Sequence, residues 1–173
     1  MINLEPFEKE DFDQLISWID NEELLMQFAG PAYTFPLTTQ QLILNSEDKN
    51  KLSYKVIEPV TRLVIGHAEI HLSTKNITLL CRIIIGEHKF RKQGLGQEIV
   101  KKLLNISFRD LAGEKAELKV YDWNTDAIRC YEKAGFTINP LKIREQIING
   151  KTWTVLNMTI NKSKWEKLKE PKD

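Results

Sequence analysis

The hydrophobic residues of the chain recur with two periods, one typical of strands and the other of helices. Apolar and polar residues alternate over 52–58 and 62–72, with Pro59-Val60-Thr61 between them, which predicts an antiparallel hairpin. The run 77–85 follows a turn at Lys75-Asn76 and is apolar almost throughout, as in a strand buried on both faces. Arg82 interrupts this run, so its position requires a structural reason.

Helical spacing of apolar residues alternates with the strand-like runs. Predicted helices cover 8–20, 38–45, 96–111 and 124–135, and predicted strands cover 2–4, 52–58, 62–72, 77–85, 117–121, 143–148 and 152–160. Because strand–helix–strand units and hairpins both occur, this order predicts an α/β (α+β) fold with a mixed sheet flanked by helices. Aromatic residues and prolines over 21–35 predict a turn-rich pocket wall, whereas 161–173 could be a docked helix or a frayed end.

Length and composition predict one domain over 1–173. A chain of 173 residues with 42% hydrophobic and 28% charged residues has the size and composition of one soluble domain. No apolar run approaches the roughly 18 residues of a membrane span, and the first residues lack the basic and apolar segments of a secretory signal. We therefore expect a cytoplasmic protein. Cys81 and Cys130 have no CxxC spacing and no nearby histidine cluster, which predicts two free, buried thiols and no metal.

The segment 86–96, between the buried strand and the long helix, has the features of an anion-binding loop. Gly94 and Gly96 permit a tight turn and a close approach to a ligand, and the following helix presents unpaired N–H groups. The spacing is neither that of a Walker A loop nor GxGxxG, which disfavours ATP and NAD. Taken alone, the two glycines are better explained as marking a simple turn than as a ligand-binding loop.

Two motifs in this region resemble those of a known family. Arg91-Lys92-Gln93-Gly94-Leu95-Gly96 is similar to the Arg/Gln-x-x-Gly-x-Gly/Ala cofactor motif of the GNAT acetyltransferases. Downstream, the segment 124–136 resembles that family's Asn-x-x-Ala-x-x-x-Tyr-x-x-x-Gly-Phe. On these motifs the chain is identified as a member of the GNAT superfamily. The resemblance implies the GNAT fold, with a mixed, mostly antiparallel sheet of about seven strands and about four helices.

The resemblance also implies acetyl-CoA as cosubstrate and gives roles to individual residues. Ile84 and Ile85 would pair with the pantetheine arm through their backbone groups, and a backbone N–H near Ile85 would meet charge developing on the carbonyl oxygen. Asn124 would also bind the pantetheine, and the Tyr131 hydroxyl would be the general acid to the departing thiolate. Without the resemblance, Asn124 is explained as a helix N-cap and Tyr131 as a core aromatic. Backbone amides would bind the pyrophosphate around Arg91, Lys92, Gln93, Gly94, Leu95 and Gly96.

Direct attack by an amine requires a group that removes its proton, because the pKa of a lysine-like ammonium is about 10.4. The period of two over 64–71 places His67, Glu69 and His71 on one strand face. Glu69 is the first candidate for the base, directly or through water, and His67 is the second. Each could instead lie on a solvated strand face. Arg82 could recognise an acidic part of the acceptor or pair with a carboxylate such as Glu69.

The sequence therefore predicts an N-acetyltransferase that moves an acetyl group from acetyl-CoA to a primary amine of a small molecule or a protein N-terminus. Two alternatives remain open. A noncatalytic acyl-CoA-binding module would leave Tyr131 without a role. A nucleic-acid-binding module would use Lys89, Arg91, Lys92, Lys101 and Lys102, although a net charge of +1 gives no global attraction to nucleic acid. The expected partner is the amine acceptor, without membrane or nucleic acid; a homodimer is compatible with the chain, but no sequence pattern calls for one.

Overall fold

One mixed sheet organises residues 1–73 and 76–170, which are the residues that the computed structural model describes. Its eight strands are β1 (Asn3–Pro6), β2 (Lys51–Ile57), β3 (Val64–Leu72), β4 (Ile77–Ile85), β5 (Lys115–Tyr121), β6 (Thr137–Ile138), β7 (Arg144–Ile148) and β8 (Lys151–Asn161). The order across the sheet is β1-β2-β3-β4-β5-β8-β6, and β7 pairs with another part of β8. Among these pairs β4 and β5 run parallel and the others antiparallel, which confirms the predicted mostly antiparallel mixed sheet.

Helices cover both faces of this sheet. They are α1 (Phe12–Trp18), α2 (Glu22–Ala29), α3 (Thr39–Ser46), α4 (Leu95–Asn105), α5 (Thr125–Lys133) and α6 (Lys162–Lys167). Helices α1, α2 and α3 bury Phe12, Leu25 and Leu42 in one apolar cluster, whereas α4 and α6 bury Leu103 and Trp165 in a second cluster. None of the helices in the described ranges is long and apolar enough to cross a membrane.

Helix α2 lies inside the stretch 21–35, for which the sequence pattern predicts turns. The Asn21 side chain caps it by accepting a hydrogen bond from the backbone N–H of Leu24 at 2.8 Å, and Glu22 and Glu23 occupy its first turn. An N-cap asparagine followed by two acidic residues is a recognised helix start, so the signal was present in the sequence. The glycine and prolines after residue 29 favoured a prediction of turns over this helix signal.

Two elements in the C-terminal part of the chain, β6 and α6, also differ from the predicted order. The two-residue strand β6 is too short for a periodic pattern. Residues 162–167 form helix α6, with Trp165 buried. Of the two alternatives for the tail, the docked helix is therefore the one found in its described part. Lys75 of the predicted turn and residues 171–173 lie outside the described residues. Strands from both halves of the chain join one sheet, which is compatible with a single domain over 1–173.

The parallel strands β4 and β5 separate before either one ends. Their pairing runs from Ile77 opposite Lys115 to Leu80 opposite Leu118, although β4 continues for five residues beyond that point. At the separation Arg82 has a φ of 50°, and the register between β3 and β4 shifts by one residue. This bulge turns β4 away from β5 and opens a cleft between the two strands.

His67, on β3, is packed into the interior beside this bulge. Its side chain is 2% exposed, and its Nδ1–H donates to the Arg82 carbonyl oxygen at 3.0 Å. The rings of Phe7 and Phe28 pack edge-on to it, with centroids at 4.5 and 5.8 Å. Burial lowers the pKa of His67 from 6.5 to about 4, so the imidazole is neutral near pH 7.

We expect this buried histidine to make the fold sensitive to mild acid. As the pH falls through 6.5 the unfolded chain protonates at residue 67 while the folded chain does not, so stability is lost between pH 6.5 and about 4. The difference of 2.5 pH units corresponds to roughly 3 kcal/mol in the free energy of unfolding, fully lost below pH 4. Urea unfolding of the wild type and of His67→Asn from pH 7 to pH 4 measures this loss. Equal pH slopes for the two proteins would contradict it.

Candidate active site

A cavity of about 460 Å³ occupies the cleft where β4 and β5 separate. Residues 79–84 of β4 and 119–121 of β5 form one side of it. Residues from 24–32, including α2, form the opposite wall, and Asn124 and Tyr131 reach it from α5. The prediction that 21–35 contributes a pocket wall is thus confirmed, although a helix forms most of it.

The loop before α4 forms a cradle of free backbone donors. Among the described residues, the N–H groups of residues 92–96 have no hydrogen-bond acceptor. Gly94 has a φ of 78°, and a Cβ added there would meet no atom within 4 Å, so the space above the loop is open. The 11-residue helix α4 begins directly after Gly94 and contributes the positive end of its dipole. This arrangement suits a phosphate or pyrophosphate group.

Arg91 and Gln93 use their side chains on carbonyl oxygens of the protein, which leaves the loop backbone free to bind an anion. Arg91 donates from Nε to the Ile85 carbonyl oxygen at 2.8 Å and from its guanidinium to the Gly86 carbonyl oxygen at 3.1 Å. Gln93 donates from Nε2 to the Lys89 carbonyl oxygen. The remaining members of the predicted motif differ in position: Lys92 is exposed with a φ of 59°, Leu95 packs against the core, and Gly96 lies close to Cys130 of α5.

Ile84 and Ile85 lie on the separated part of β4. Their partners are His67 and Gly66 on β3, and β5 does not pair with either of them. The edge of β4 that faces the cleft therefore has no strand beside it at these residues. A Cβ at Gly66 would lie 2.3 Å from the Ile84 carbonyl oxygen, so only glycine permits β3 to approach this closely.

Asn124 and Tyr131 line the same cavity from one face of α5. The Asn124 side chain accepts a hydrogen bond from the Ala127 N–H at 3.3 Å, so it is a helix N-cap as well as a cavity residue. The Tyr131 ring packs on Phe136, and its hydroxyl has no hydrogen-bond partner in the described part of the chain. Burial raises the pKa of Tyr131, which keeps the hydroxyl protonated and able to donate.

Glu69 is fully buried and serves as the acceptor of a hydrogen-bond network. It pairs with the guanidinium of Arg82 and accepts from Asn45 Nδ2 at 2.9 Å and Ser53 Oγ at 3.0 Å. The guanidinium of Arg82 also lies 5.0 Å from the centre of the Tyr33 ring. Of the two roles left open for Arg82, pairing with Glu69 is the one found.

This network bears on both candidate bases. Glu69 is 0% exposed and His67 is 2% exposed, so neither lies on a solvated strand face. An acceptor amine has no direct path to the Glu69 carboxylate, and a role for it as base, now through water, stays a prediction. Among the described residues that line the 460 Å³ cavity there is no carboxylate at all. His71, the third member of the same strand row, does line it and is half-buried.

The thiols are free, as predicted, but half-buried rather than fully buried. Cys81 lies beside Glu69, with its Sγ 3.6 Å from Oε1, and burial raises the pKa of Cys81 to about 12. At neutral pH this cysteine is a thiol and not a nucleophilic thiolate.

A second cavity of about 270 Å³ adjoins the first, and the sequence alone did not indicate it. Glu117 lies in its lining, 7% exposed, and binds the ammonium groups of Lys115 at 2.7 Å and Lys142 at 2.9 Å. Burial alone would raise the pKa of Glu117, but hydrogen bonds from these lysines and from Asn157 outweigh it and lower the pKa to about 2. The carboxylate is therefore ionised and already neutralised by its neighbours.

The buried pair makes a testable contribution to stability. Glu69→Gln leaves the Arg82 charge without a counterion, so we expect the free energy of unfolding to fall by about 3 kcal/mol. Denaturant unfolding measures this change. The matched control is Glu114→Gln, whose exposed carboxylate lies 4.0 Å from Lys162 and whose loss should cost less than about 0.5 kcal/mol.

Adding Arg82→Gln to Glu69→Gln should recover part of the lost stability, since the second change removes the unpaired charge. If Glu69→Gln alone has the same free energy of unfolding as Glu114→Gln, the ion pair does not stabilise the bulge.

Comparison with known proteins places this geometry among acetyltransferases. A family model described as "Acetyltransferase (GNAT) domain" matches residues 2–137. The "Alpha/beta-tubulin-N-acetyltransferase 9" of Mus musculus is 23% identical over an alignment of 145 residues that covers 77% of this chain and 60% of that protein. The chain thus spans 60% of that relative's length.

Solved structures show the same fold. The spermidine N-acetyltransferase from Vibrio cholerae in complex with CoA and spermine has a TM-score of 0.80 at 23% identity, covering 95% of this chain and 98% of that one. A dodecameric structure of spermidine N-acetyltransferase from Vibrio cholerae has a TM-score of 0.78 at 22% identity, covering 98% of each chain.

Proposed function

Because the chain belongs to the GNAT acetyltransferase family, we propose that it is an acetyl-CoA-dependent N-acetyltransferase that acetylates a primary amine. The observation that carries the proposal is that a loop with free N–H groups at residues 92–96 is fixed by Arg91 to the end of β4, whose residue Ile84 lines the same cleft as Tyr131. An anion cradle that follows this strand and a tyrosine in the lining of the cleft suit a long phosphorylated thioester.

The residues present fit that cosubstrate. The backbone N–H groups of residues 92–96 would hold its pyrophosphate, and the free edge of β4 at Ile84 and Ile85 would hold its pantetheine arm. Asn124, whose side-chain amide N–H groups remain available after capping, would bind the same arm. Acetyl-CoA, when bound, supplies the acetyl thioester.

Tyr131 would act as the general acid. Its hydroxyl is protonated, lines the cavity and is free of other partners in the described residues, so it can donate a proton to a sulfur leaving group. A noncatalytic acyl-CoA-binding module would have no use for this hydroxyl. The nucleic-acid alternative is weakened further because the guanidinium of Arg91 is turned onto the carbonyl oxygens of Ile85 and Gly86.

The proton of the attacking amine would go to His71. Among the described residues, those that line the first cavity include no carboxylate, and His71 is the histidine among them. Glu69 would position Arg82 and the bulge, and its role as a base through water stays a prediction.

An amine acceptor agrees with the names of the relatives, a tubulin N-acetyltransferase and spermidine N-acetyltransferases. These names include a small-molecule acceptor, spermidine, and a protein acceptor, tubulin. Homodimerisation, a cytoplasmic location and the absence of a metal or of nucleic acid from the reaction stay predictions.

The first test is the binding of acetyl-CoA. Isothermal titration should give saturable binding to the wild type, and Gly94→Trp should abolish it because the indole fills the open space above the N–H cradle. Gly150→Trp is the matched control: Gly150 also has a positive φ with no atom near its added Cβ, but it lies in the turn between β7 and β8. Absence of wild-type binding, or equal loss in both variants, would refute the cofactor site.

The second test is the rate of acetyl transfer. Tyr131→Phe removes only the hydroxyl, so kcat should fall by about 100-fold or more with the acetyl-CoA Kd unchanged. Release of CoA during turnover of a panel of primary amines measures kcat. His71→Gln, assayed in the same way, should also lose rate without losing cofactor affinity. Unchanged kcat in either variant would remove that residue from the mechanism.

A further inference from the structure

The two cavities form one continuous groove on the sheet. Leu79, Lys119, Gln146 and Val155 line both of them. On this side of the sheet, α2 packs against β4 and α3 against β2, whereas the short 3-10 segment Pro140–Lys142 packs beside β8. Among the described residues, α1, α2 and α3 make no comparable packing against β5, β7 or β8. The groove therefore leads from the reaction cleft to an open surface that the proposed cofactor does not need.

The lining of the second cavity is cationic. Lys119, Lys142 and Arg144 contribute positive charge, and Glu117 is the one carboxylate among its described lining residues. Glu117 is already neutralised by Lys115 and Lys142. Lys119 and Arg144 are exposed, and in the ranges 1–73 and 76–170 no carboxylate lies within 4.0 Å of either one. The charge in this groove is thus uncompensated.

A buried polar atom in the same cavity also lacks a partner. Asn157 is 4% exposed and lines the second cavity, and its Oδ1 accepts no hydrogen bond within the described residues. Its Nδ2 is occupied by Glu117 at 3.2 Å. A buried carbonyl oxygen normally has a donor, so this atom is suited to an N–H group of a ligand.

We propose that the second cavity is the acceptor subsite and that it selects an amine flanked by carboxylate groups, as in an acidic amino acid or a peptide N-terminus followed by Asp or Glu. This inference rests on the proposed acetyltransferase function. Lys119 and Arg144 bind the carboxylates, Asn157 Oδ1 accepts from an acceptor N–H, and the amine extends past Leu79 to His71 in the first cavity.

A polycationic acceptor does not fit the same surface. It would approach Lys119 and Arg144 with like charge, and the two oxygens of Glu117 are already held by Lys115, Lys142 and Asn157. Like charges brought together across an interface are strongly disfavoured, so the groove would select acidic acceptors and also reject cationic ones.

The test compares three peptides of equal length that differ in charge and begin Ser-Glu-Glu, Ser-Gln-Gln or Ser-Lys-Lys. Each is assayed for kcat/KM, and free glutamate and spermidine are assayed beside them as small-molecule acceptors. We expect the acidic peptide or glutamate to exceed the Gln peptide by at least about tenfold, and the Lys peptide and spermidine to be poorer still. A lead for glutamate over the acidic peptide would identify a small-molecule acceptor, and the reverse would identify a peptide N-terminus.

Charge reversal tests whether Lys119 and Arg144 cause the preference for acidic acceptors. Lys119→Glu with Arg144→Glu should abolish the acidic preference and raise turnover of the Lys peptide. The control pair, Lys164→Glu with Lys167→Glu, makes the same net change on α6, on the opposite face of the sheet, and should leave the preference intact. Preference for spermidine or the Lys peptide in the wild type, or an acidic preference that survives the double reversal, would overturn the proposal.

A binding measurement separates this inference from the proposed function. The acidic peptide and glutamate are each titrated into protein saturated with CoA, which requires no turnover. Binding of either one that the Lys119/Arg144 reversal abolishes supports the subsite, and failure of both to bind overturns it even where acetyl-CoA binds normally. Failure of acetyl-CoA itself to bind would instead refute the acetyltransferase proposal.

Discussion

The ion pair between Arg82 and Glu69 lies where β4 leaves β5, and the cleft depends on that departure. Arg82 occupies the bulge with a φ of 50°, a conformation that costs free energy for any residue other than glycine. The bulge turns the side chains of Cys81 and Arg82 toward Glu69, where Asn45 and Ser53 complete the hydrogen bonding of the carboxylate. A buried pair is stable only when its remaining lone pairs are satisfied, and this one recruits α3 and β2 to do so.

Electrostatics then divides the cleft into regions of different character. At one end the free N–H groups before α4 supply partial positive charge without a side chain, because Arg91 is used to fix the loop to the end of β4. Burial keeps the Tyr131 hydroxyl protonated, and it keeps His67, beside the bulge, uncharged. Where the first cavity joins the second, Lys119 and Arg144 are exposed and carry full charges.

The local patterns in the chain were sufficient for much of the fold. Period-two alternation located β2 and β3, the apolar run located β4, and helical spacing located α4 and α5, because each of these elements buries one or both of its faces. The sequence patterns did not predict helix α2 or strand β6. The eight residues of α2 are followed at once by glycine and proline, and the two residues of β6 are too few to show a period. The sequence motifs predicted a loop before α4 at 91–96 and placed Asn124 and Tyr131 on one face of α5, because the spacing within each motif is local.

By itself the sequence determined the secondary structure of the sheet, the phosphate-type loop and the α5 face that carries Asn124 and Tyr131, since periodicity and short motifs encode these directly. Only the tertiary structure decided the fate of the polar row on β3, where Glu69 and His67 are buried and His71 alone reaches the cavity. It likewise decided that Glu117 is neutralised, while Lys119 and Arg144 have no carboxylate within 4.0 Å in the described part of the chain. Both outcomes depend on which residue, distant in sequence, packs against a given side chain, and no period along one strand contains that information.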